Sequence, residues 1–238
     1  MLDKKLIKDI QSLSVKKYRQ EQGLFVAEGP KIVGELLELI PQRVLQVYAI
    51  KEWSDVNPGC SAQVISSDML SRISQLQTPN MVLAVCKQPV AAEPSPVAGW
   101  CLYLDGLQDP GNLGTIIRTA DWFGIPSVVC SAECADAYNP KVVQATMGSI
   151  ARVTIWYDEG GDWLLRQSLP LFAASLTGRS IFELERQRDG ILVIGNESKG
   201  VRKDFLAIAE QLTIPRRGAA ESLNAAVAAG IIIAQVAG

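Results

Sequence analysis

Leu104-Asp105-Gly106-Leu107-Gln108-Asp109-Pro110-Gly111-Asn112-Leu113-Gly114-Thr115-Ile116-Ile117-Arg118-Thr119-Ala120-Asp121-Trp122-Phe123-Gly124 is the stretch whose reading decides the fold. An apolar run, 101–104, leads into it and reads as a buried strand. The Gly, Asp and Pro that follow mark a tight loop. Asp109 then stands as a helix cap with Pro110 just inside the first turn. On the helix expected over 112–123, the spacing puts Leu113, Ile116, Ile117 and Ala120 on one face, with Thr115, Arg118 and Trp122 on the other. A strand, a polar loop and a helix presenting an arginine is how α/β proteins build sites at strand C-termini. It is equally the pattern of an ordinary strand–helix unit with a solvated arginine.

Outward from this stretch the pattern stays α/β. Strands are expected at 101–104, 127–130, 152–156, 171–174, 191–195 and 212–214, with helices over 112–123, 141–149, 162–168, 202–210 and 223–236. Such alternation predicts a mostly parallel sheet covered on both faces. The last helix is apolar almost all round, which predicts burial on every side and packing against a second subunit. Upstream, 89–98 holds three prolines at Pro89, Pro94 and Pro96 and reads as an extended, semi-rigid linker. Before it, residues 1–88 form a separate α/β unit. This has an amphipathic helix over 4–22 carrying Leu6, Ile10, Leu13 and Tyr18, strands at 24–27, 43–50, 63–65 and 81–86, a helix from Pro30 to Ile40, and one over 68–73 capped by Ser67. The domains expected are thus 1–88, a linker at 89–98, and 99–238.

Composition narrows the chemistry. The 238 residues contain no histidine, which removes the commonest general base and the usual catalytic triad. Five cysteines with no CxxC pair argue against a disulfide framework and a zinc site. No apolar run of membrane-spanning length and no signal-peptide pattern is apparent, so a cytoplasmic protein is expected. Net charge is −2, yet six basic residues face two acidic ones in 1–20, and five face two in 199–217. Two basic patches on an acidic body suit phosphate contacts or solvated helix faces.

Two further loops follow strands. Gly195-Asn196-Glu197-Ser198-Lys199-Gly200 can turn tightly, though it is neither a Walker loop nor GxGxxG. Ile214-Pro215-Arg216-Arg217-Gly218-Ala219-Ala220-Glu221-Ser222-Leu223-Asn224 leads to the last helix, with Ser222 as the expected cap and Asn224 in the first turn. The three loops, in this order, resemble the motifs of the SpoU (TrmH) family of RNA ribose 2′-O-methyltransferases in the SPOUT superfamily. The first motif resembles Asp109 to Gly114 with Arg118-Thr119-Ala120. The second resembles Ile194-Gly195-Asn196-Glu197 with Gly200, and the third resembles Ile214-Pro215, Ser222-Leu223-Asn224 and Val227-Ala228-Ala229-Gly230. The segment from Lys141 to Ser149 resembles the family's small-residue helix. The N-terminal unit, with Phe25-Val26-Ala27-Glu28-Gly29, resembles the ribosomal-protein-like RNA-recruiting domain of many members.

The resemblance implies a trefoil-knotted C-terminal domain, S-adenosylmethionine held in the knot, a homodimer, and RNA as substrate, ribosomal rather than transfer RNA. It implies cofactor contacts at Gly195, Gly200, Ile214 and Leu223, with Leu176 and Thr177 beside them, and no metal. Arg118 matches the catalytic position, and Asn112, Glu197, Ser222 and Asn224 match the polar residues around it. The family's proposed base is this arginine. Because arginine is hard to deprotonate, a charged Arg118 that binds phosphate and steadies a developing oxyanion is the physical alternative. The third motif departs from the family in reading Asn224-Ala225-Ala226, where members often carry Asn-Val-Ser, and in Arg216-Arg217 after the proline. A non-catalytic RNA-binding relative is the competing class, and a dinucleotide oxidoreductase is disfavoured by the lack of GxGxxG.

Overall fold

The N-terminal residues, expected as one helix, fold as two in the computed structural model, which describes residues 2–90, 92–96 and 98–237. Helix α1 (Lys4–Ser12) is capped by Asp3, whose carboxylate accepts from the Lys5 amide; α2 (Lys16–Gln22) ends on Gly23 at φ 63°. Between them the Ser12 and Ser14 hydroxyls donate to the Asp9 and Gln11 carbonyls, and Val15 is extended. Hydroxyls bonding back to helix carbonyls and a β-branched residue end α1 early. Ile10 and Leu13 are buried as expected, but Tyr18 is 42% exposed and Arg19 takes the inward position at 1%.

The chain continues through β1 (Leu24–Glu28), α3 (Pro30–Leu39), β2 (Val44–Ala49), α4 (Lys51–Val56), β3 (Ala62–Val64), α5 (Ser67–Ile73) and β4 (Val82–Lys87). These strands form a sheet in the order β1-β4-β2-β3, antiparallel except for β2 with β3. Only α4 has no counterpart in the sequence reading; it is a short helix that buries Trp53 alone. The cap of α5 is Ser66 rather than Ser67, its hydroxyl accepting from the Met69 amide at 3.2 Å.

Next come β5 (Trp100–Asp105), α6 (Pro110–Trp122), β6 (Ser127–Ser131), α7 (Pro140–Thr146), β7 (Thr154–Asp158), β8 (Leu171–Ser180), β9 (Gly190–Gly195), α8 (Lys203–Ile208), β10 (Glu210–Thr213) and α9 (Ala225–Val236). The second sheet runs β10-β8-β9-β5-β6-β7 and is parallel throughout. Its central strands β5 and β9 are buried along almost their whole length, which is why their sequences are continuous apolar runs rather than alternating ones. Leu113, Ile116 and Ile117 of α6 are 0% exposed, each contributing about 1.5–3 kcal/mol by burial. The helix expected over 162–168 is only a 3-10 turn, Trp163–Arg166. The Asp158 carboxylate accepts there from the Trp163 amide at 3.1 Å and the Tyr103 hydroxyl at 3.0 Å. Of the expected linker, Ala91 and Val97 lie outside the described residues. The rest has no regular structure, with Pro94 accepting from the Trp163 indole at 2.8 Å and Glu93 paired to Arg166 at 2.8 Å.

Two compact units result, Met1–Val90 with Asp136–Ala151, and Ala91–Ala135 with Arg152–Gly238. The middle segment joins the first unit through named contacts. Buried Arg19 reaches Asp136 Oδ2 from Nη2 at 2.6 Å and from Nε at 2.9 Å, and also donates to the Leu13 carbonyl at 2.8 Å. The Phe25 and Tyr138 rings lie 5.0 Å apart, and α7 packs on β1. That helix stops at Thr146 rather than continuing to Ser149, because Met147 and Gly148 adopt φ 51° and 100°. Breaking a buried ion pair from one side strands the other charge. Arg19→Met is therefore expected to cost about 3–5 kcal/mol in urea unfolding; an unchanged midpoint would contradict this account.

Candidate active site

In a parallel sheet all strands point their C-terminal ends to one edge. The neighbours β10, β8, β9 and β5 carry there, side by side, the segments singled out in the sequence. After β5 the chain turns on Gly106 at φ 67°, whose amide donates to Ser131 Oγ at 2.9 Å. The Leu107 amide donates to Cys134 Sγ at 3.2 Å, and the Leu107 carbonyl accepts from the Ala135 amide at 2.8 Å. A hydrogen bond from Cys130 draws the Cys134 thiol below its usual pKa, while the same bond raises that of buried Cys130. Asp109 caps α6 as expected, accepting from the Asn112 amide at 2.7 Å.

The loop after β9 closes on itself. Asn196 and Gly200 exchange backbone hydrogen bonds at 2.9 and 3.2 Å, with Gly200 at φ 70°. A Cβ on Gly195 would stand 2.3 Å from the Gly200 carbonyl carbon and the Val201 nitrogen, so glycine is required there. Asn196 was not singled out in the sequence for a role, yet it clasps two loops. Its Nδ2 donates to the Gly106 carbonyl at 2.7 Å, and its Oδ1 accepts from the Ser198 and Lys199 amides at 2.9 and 3.0 Å. An Asn opening a turn two residues on was the available signal. Beneath it, Asp105 accepts from the Arg202 amide at 2.7 Å, and burial raises its pKa despite that bond.

The third loop corrects the sequence reading. Asn224, not Ser222, caps α9, its Oδ1 accepting from the Ala226 and Val227 amides at 3.0 and 3.2 Å. With that oxygen fixed toward the helix, the Asn224 Nδ2 donates to Asn112 Oδ1 at 2.9 Å. The Asn112 Nδ2 in turn donates to Glu197 Oε1 at 2.9 Å. Each amide thus has its orientation set by the next group, and the chain ends on a carboxylate, the acceptor that makes the strongest such bond. One residue from each of the three loops meets in this relay, and Asn112 is 8% exposed.

Other candidates stand apart from it. Ser222 is exposed and makes no hydrogen bond among the described residues. Arg118 is exposed on the outer face of α6, as expected, with no ion pair among the described residues. Leu176 and Thr177 lie within β8, not past it, because that strand runs on to Ser180. Phe172 and Ala173 pair with Glu210 and Gln211, then Arg179 and Ser180 with Leu212 and Thr213, so 174–178 bulge out of register. Gly178 at φ 115° permits the return, since a Cβ there would meet the Gln211 carbonyl oxygen at 2.3 Å. The bulge leaves Leu176 77% exposed, while Leu223 on the third loop is 48% exposed and Ile214 is half-buried. Residues 215–223 form no backbone–backbone hydrogen bond among the described residues. Exposed apolar side chains and a loop whose main chain is not tied into backbone pairing fit a flat heteroaromatic ring and its polar edge.

A six-strand parallel α/β domain with a polar relay at its strand C-termini places the candidate site where such folds bind their ligands. Residues 99–234 match the SpoU rRNA Methylase family, and residues 4–84 match the MRM3-like substrate binding domain. The chain belongs to the SpoU rRNA methylase family. It is 33% identical to the 23S rRNA (guanosine(2553)-2′-O)-methyltransferase RlmP of Bacillus subtilis, over 98% of this chain and 96% of that one. Among solved structures, a TrmH-family protein from Porphyromonas gingivalis is 39% identical with a TM-score of 0.86, covering 99% of this chain and 98% of that one. An AdoMet-bound rRNA methyltransferase from Sinorhizobium meliloti is 29% identical with a TM-score of 0.85, covering 99% and 95%.

Proposed function

We propose that the protein transfers a methyl group from S-adenosylmethionine to a ribose 2′-hydroxyl of ribosomal RNA. The observation that carries this reading is the Glu197–Asn112–Asn224 relay, which ties the three loops into one constellation. The cofactor, when bound, supplies a methyl group made electrophilic by positive sulfur. Leu176, Thr177, Ile214 and Leu223 with the Gly195–Gly200 turn are the residues to hold it. Methyl transfer needs the attacking oxygen aligned and its proton removed. Arg118 is the group to bind the adjoining phosphate and steady negative charge on the attacking oxygen.

We also read the C-terminal loops as tied in a trefoil knot and the working enzyme as a homodimer. Support for the dimer comes from α9. Expected to be buried all round, it is covered on one face, while Val227 and Ile231 are 51% and 37% exposed. An apolar helix left half-covered suits an interface between two copies.

The test is methyl transfer from radiolabelled S-adenosylmethionine to total RNA of a strain lacking the gene. Label in one ribosomal RNA as an alkali-resistant 2′-O-methyl nucleotide is the expected result; label on a base, or none, would overturn the reading. Asn112→Asp puts a second carboxylate against Glu197 and is expected to lower the rate about 100-fold. Asn112→Ala, which removes the relay without adding charge, is expected to lower it about tenfold.

A further inference from the structure

The outer face of α6 carries more than Arg118. Trp122 lies one helical turn further along the same face and is 84% exposed, the most exposed of the large aromatic side chains. Residues four apart on a helix are neighbours on its surface, about 6 Å apart along the axis. Asp121, three residues beyond Arg118 on the helix, has its carboxylate engaged by Arg152, with Nε at 2.8 and 3.0 Å and Nη2 at 2.7 Å. Arg118 therefore keeps its positive charge without an ion-pair partner among the described residues. An exposed indole beside a guanidinium offers a flat apolar face and a positive charge on one surface. It is complementary to a chain that alternates flat bases with phosphates.

We infer that Trp122 is a stacking platform for a base of the substrate RNA, positioned one turn of α6 from the phosphate that Arg118 holds. This rests on the reading of RNA as substrate and adds an affinity element to that site. Base–aromatic stacking tolerates any sequence, because every base has a π-face. Trp122 is thus assigned to holding the RNA strand in place, and Arg118 to the charge. A positioning group of this kind acts on substrate affinity and leaves the chemical step nearly untouched.

The experiment compares wild type, Trp122→Ala and Trp122→Phe, using unmodified large-subunit ribosomal RNA transcribed in vitro. Methyl-transfer kinetics, RNA affinity, intrinsic fluorescence and sedimentation are measured on the full chain. Trp122→Ala is expected to raise KM and Kd for RNA about five- to tenfold with kcat within about twofold, and Trp122→Phe to recover most of the loss. RNA is expected to quench wild-type fluorescence more than that of Trp122→Phe, the difference isolating one of the five tryptophans. Equal RNA affinity in wild type and Trp122→Ala, with the wild type active, overturns the inference and leaves the proposed function standing. A shift of Trp122→Ala toward monomer that accounts for its lost affinity overturns it in favour of contact with a second copy. A wild type that neither binds nor methylates any RNA overturns both.

Discussion

Arg118→Ala is expected to reduce methyl transfer by about 10²–10³-fold while leaving the melting temperature within about a degree of wild type. The two halves of this expectation have separate causes. The side chain is exposed on α6 and makes no ion pair among the described residues, so the fold loses almost nothing when it goes. The helix beneath it is held by Leu113, Ile116, Ile117 and Ala120 and by the Asp109 cap, none of which changes. In the proposed reaction, activity depends instead on charge placed where negative charge develops, and a single such donor is worth that much in rate. Arg118→Lys keeps the charge but loses the planar fork, so an intermediate rate is expected. A pH–rate profile of wild type and Arg118→Lys separates the two roles. Matching ionisations in both would assign the proton to another acceptor; an ionisation present only in wild type would make Arg118 the base. Full activity in Arg118→Ala would remove it from the mechanism.

Much of the α/β architecture was legible because its signals are local. The apolar run before Asp109, the cap with Pro110 and the 3.6-residue spacing of Leu113, Ile116 and Ala120 lie within one short stretch, and the structure follows them. What was misread depends on partners far along the chain. Ser222 and Asn224 are both good caps, but only Asn224 also carries a side-chain amide, which donates to Asn112, 112 residues away. The inward turn of Arg19 is decided by Asp136, 117 residues distant, so an amphipathic reading favoured Tyr18. The bulge at 174–178 follows from the register of β10, which no periodicity in β8 encodes. Of the expected polar residues, Asn112, Glu197 and Asn224 meet, while Ser222 stands clear on an exposed loop. Nothing in composition distinguishes it from those three.

Gly195→Ala is expected to abolish measurable S-adenosylmethionine binding and to cost about 3 kcal/mol of stability, at the upper end of overpacking effects. The new methyl would stand 2.3 Å from two backbone atoms of the Gly200–Val201 peptide and 2.5 Å from the Gly200 oxygen. Backbone cannot swing aside as a side-chain tip can, so the bonds between Asn196 and Gly200 must open. Opening them displaces Asn196 from the Gly106 carbonyl and Glu197 from Asn112, which dismantles two of the three loops at once. Gly200→Ala is the matched control. Its φ of 70° disfavours a side chain, but a Cβ there meets nothing within 4 Å, so a cost of about 1–2 kcal/mol is expected. With the turn still closed, that variant is expected to keep cofactor affinity within about tenfold of wild type. Calorimetric titration with S-adenosylmethionine, alongside urea unfolding, reads both effects. Wild-type affinity in Gly195→Ala would mean that the closed turn does not shape the cofactor site. Equal losses in the two variants would mean that glycine backbone freedom, rather than the close approach at Gly195, is what the site requires.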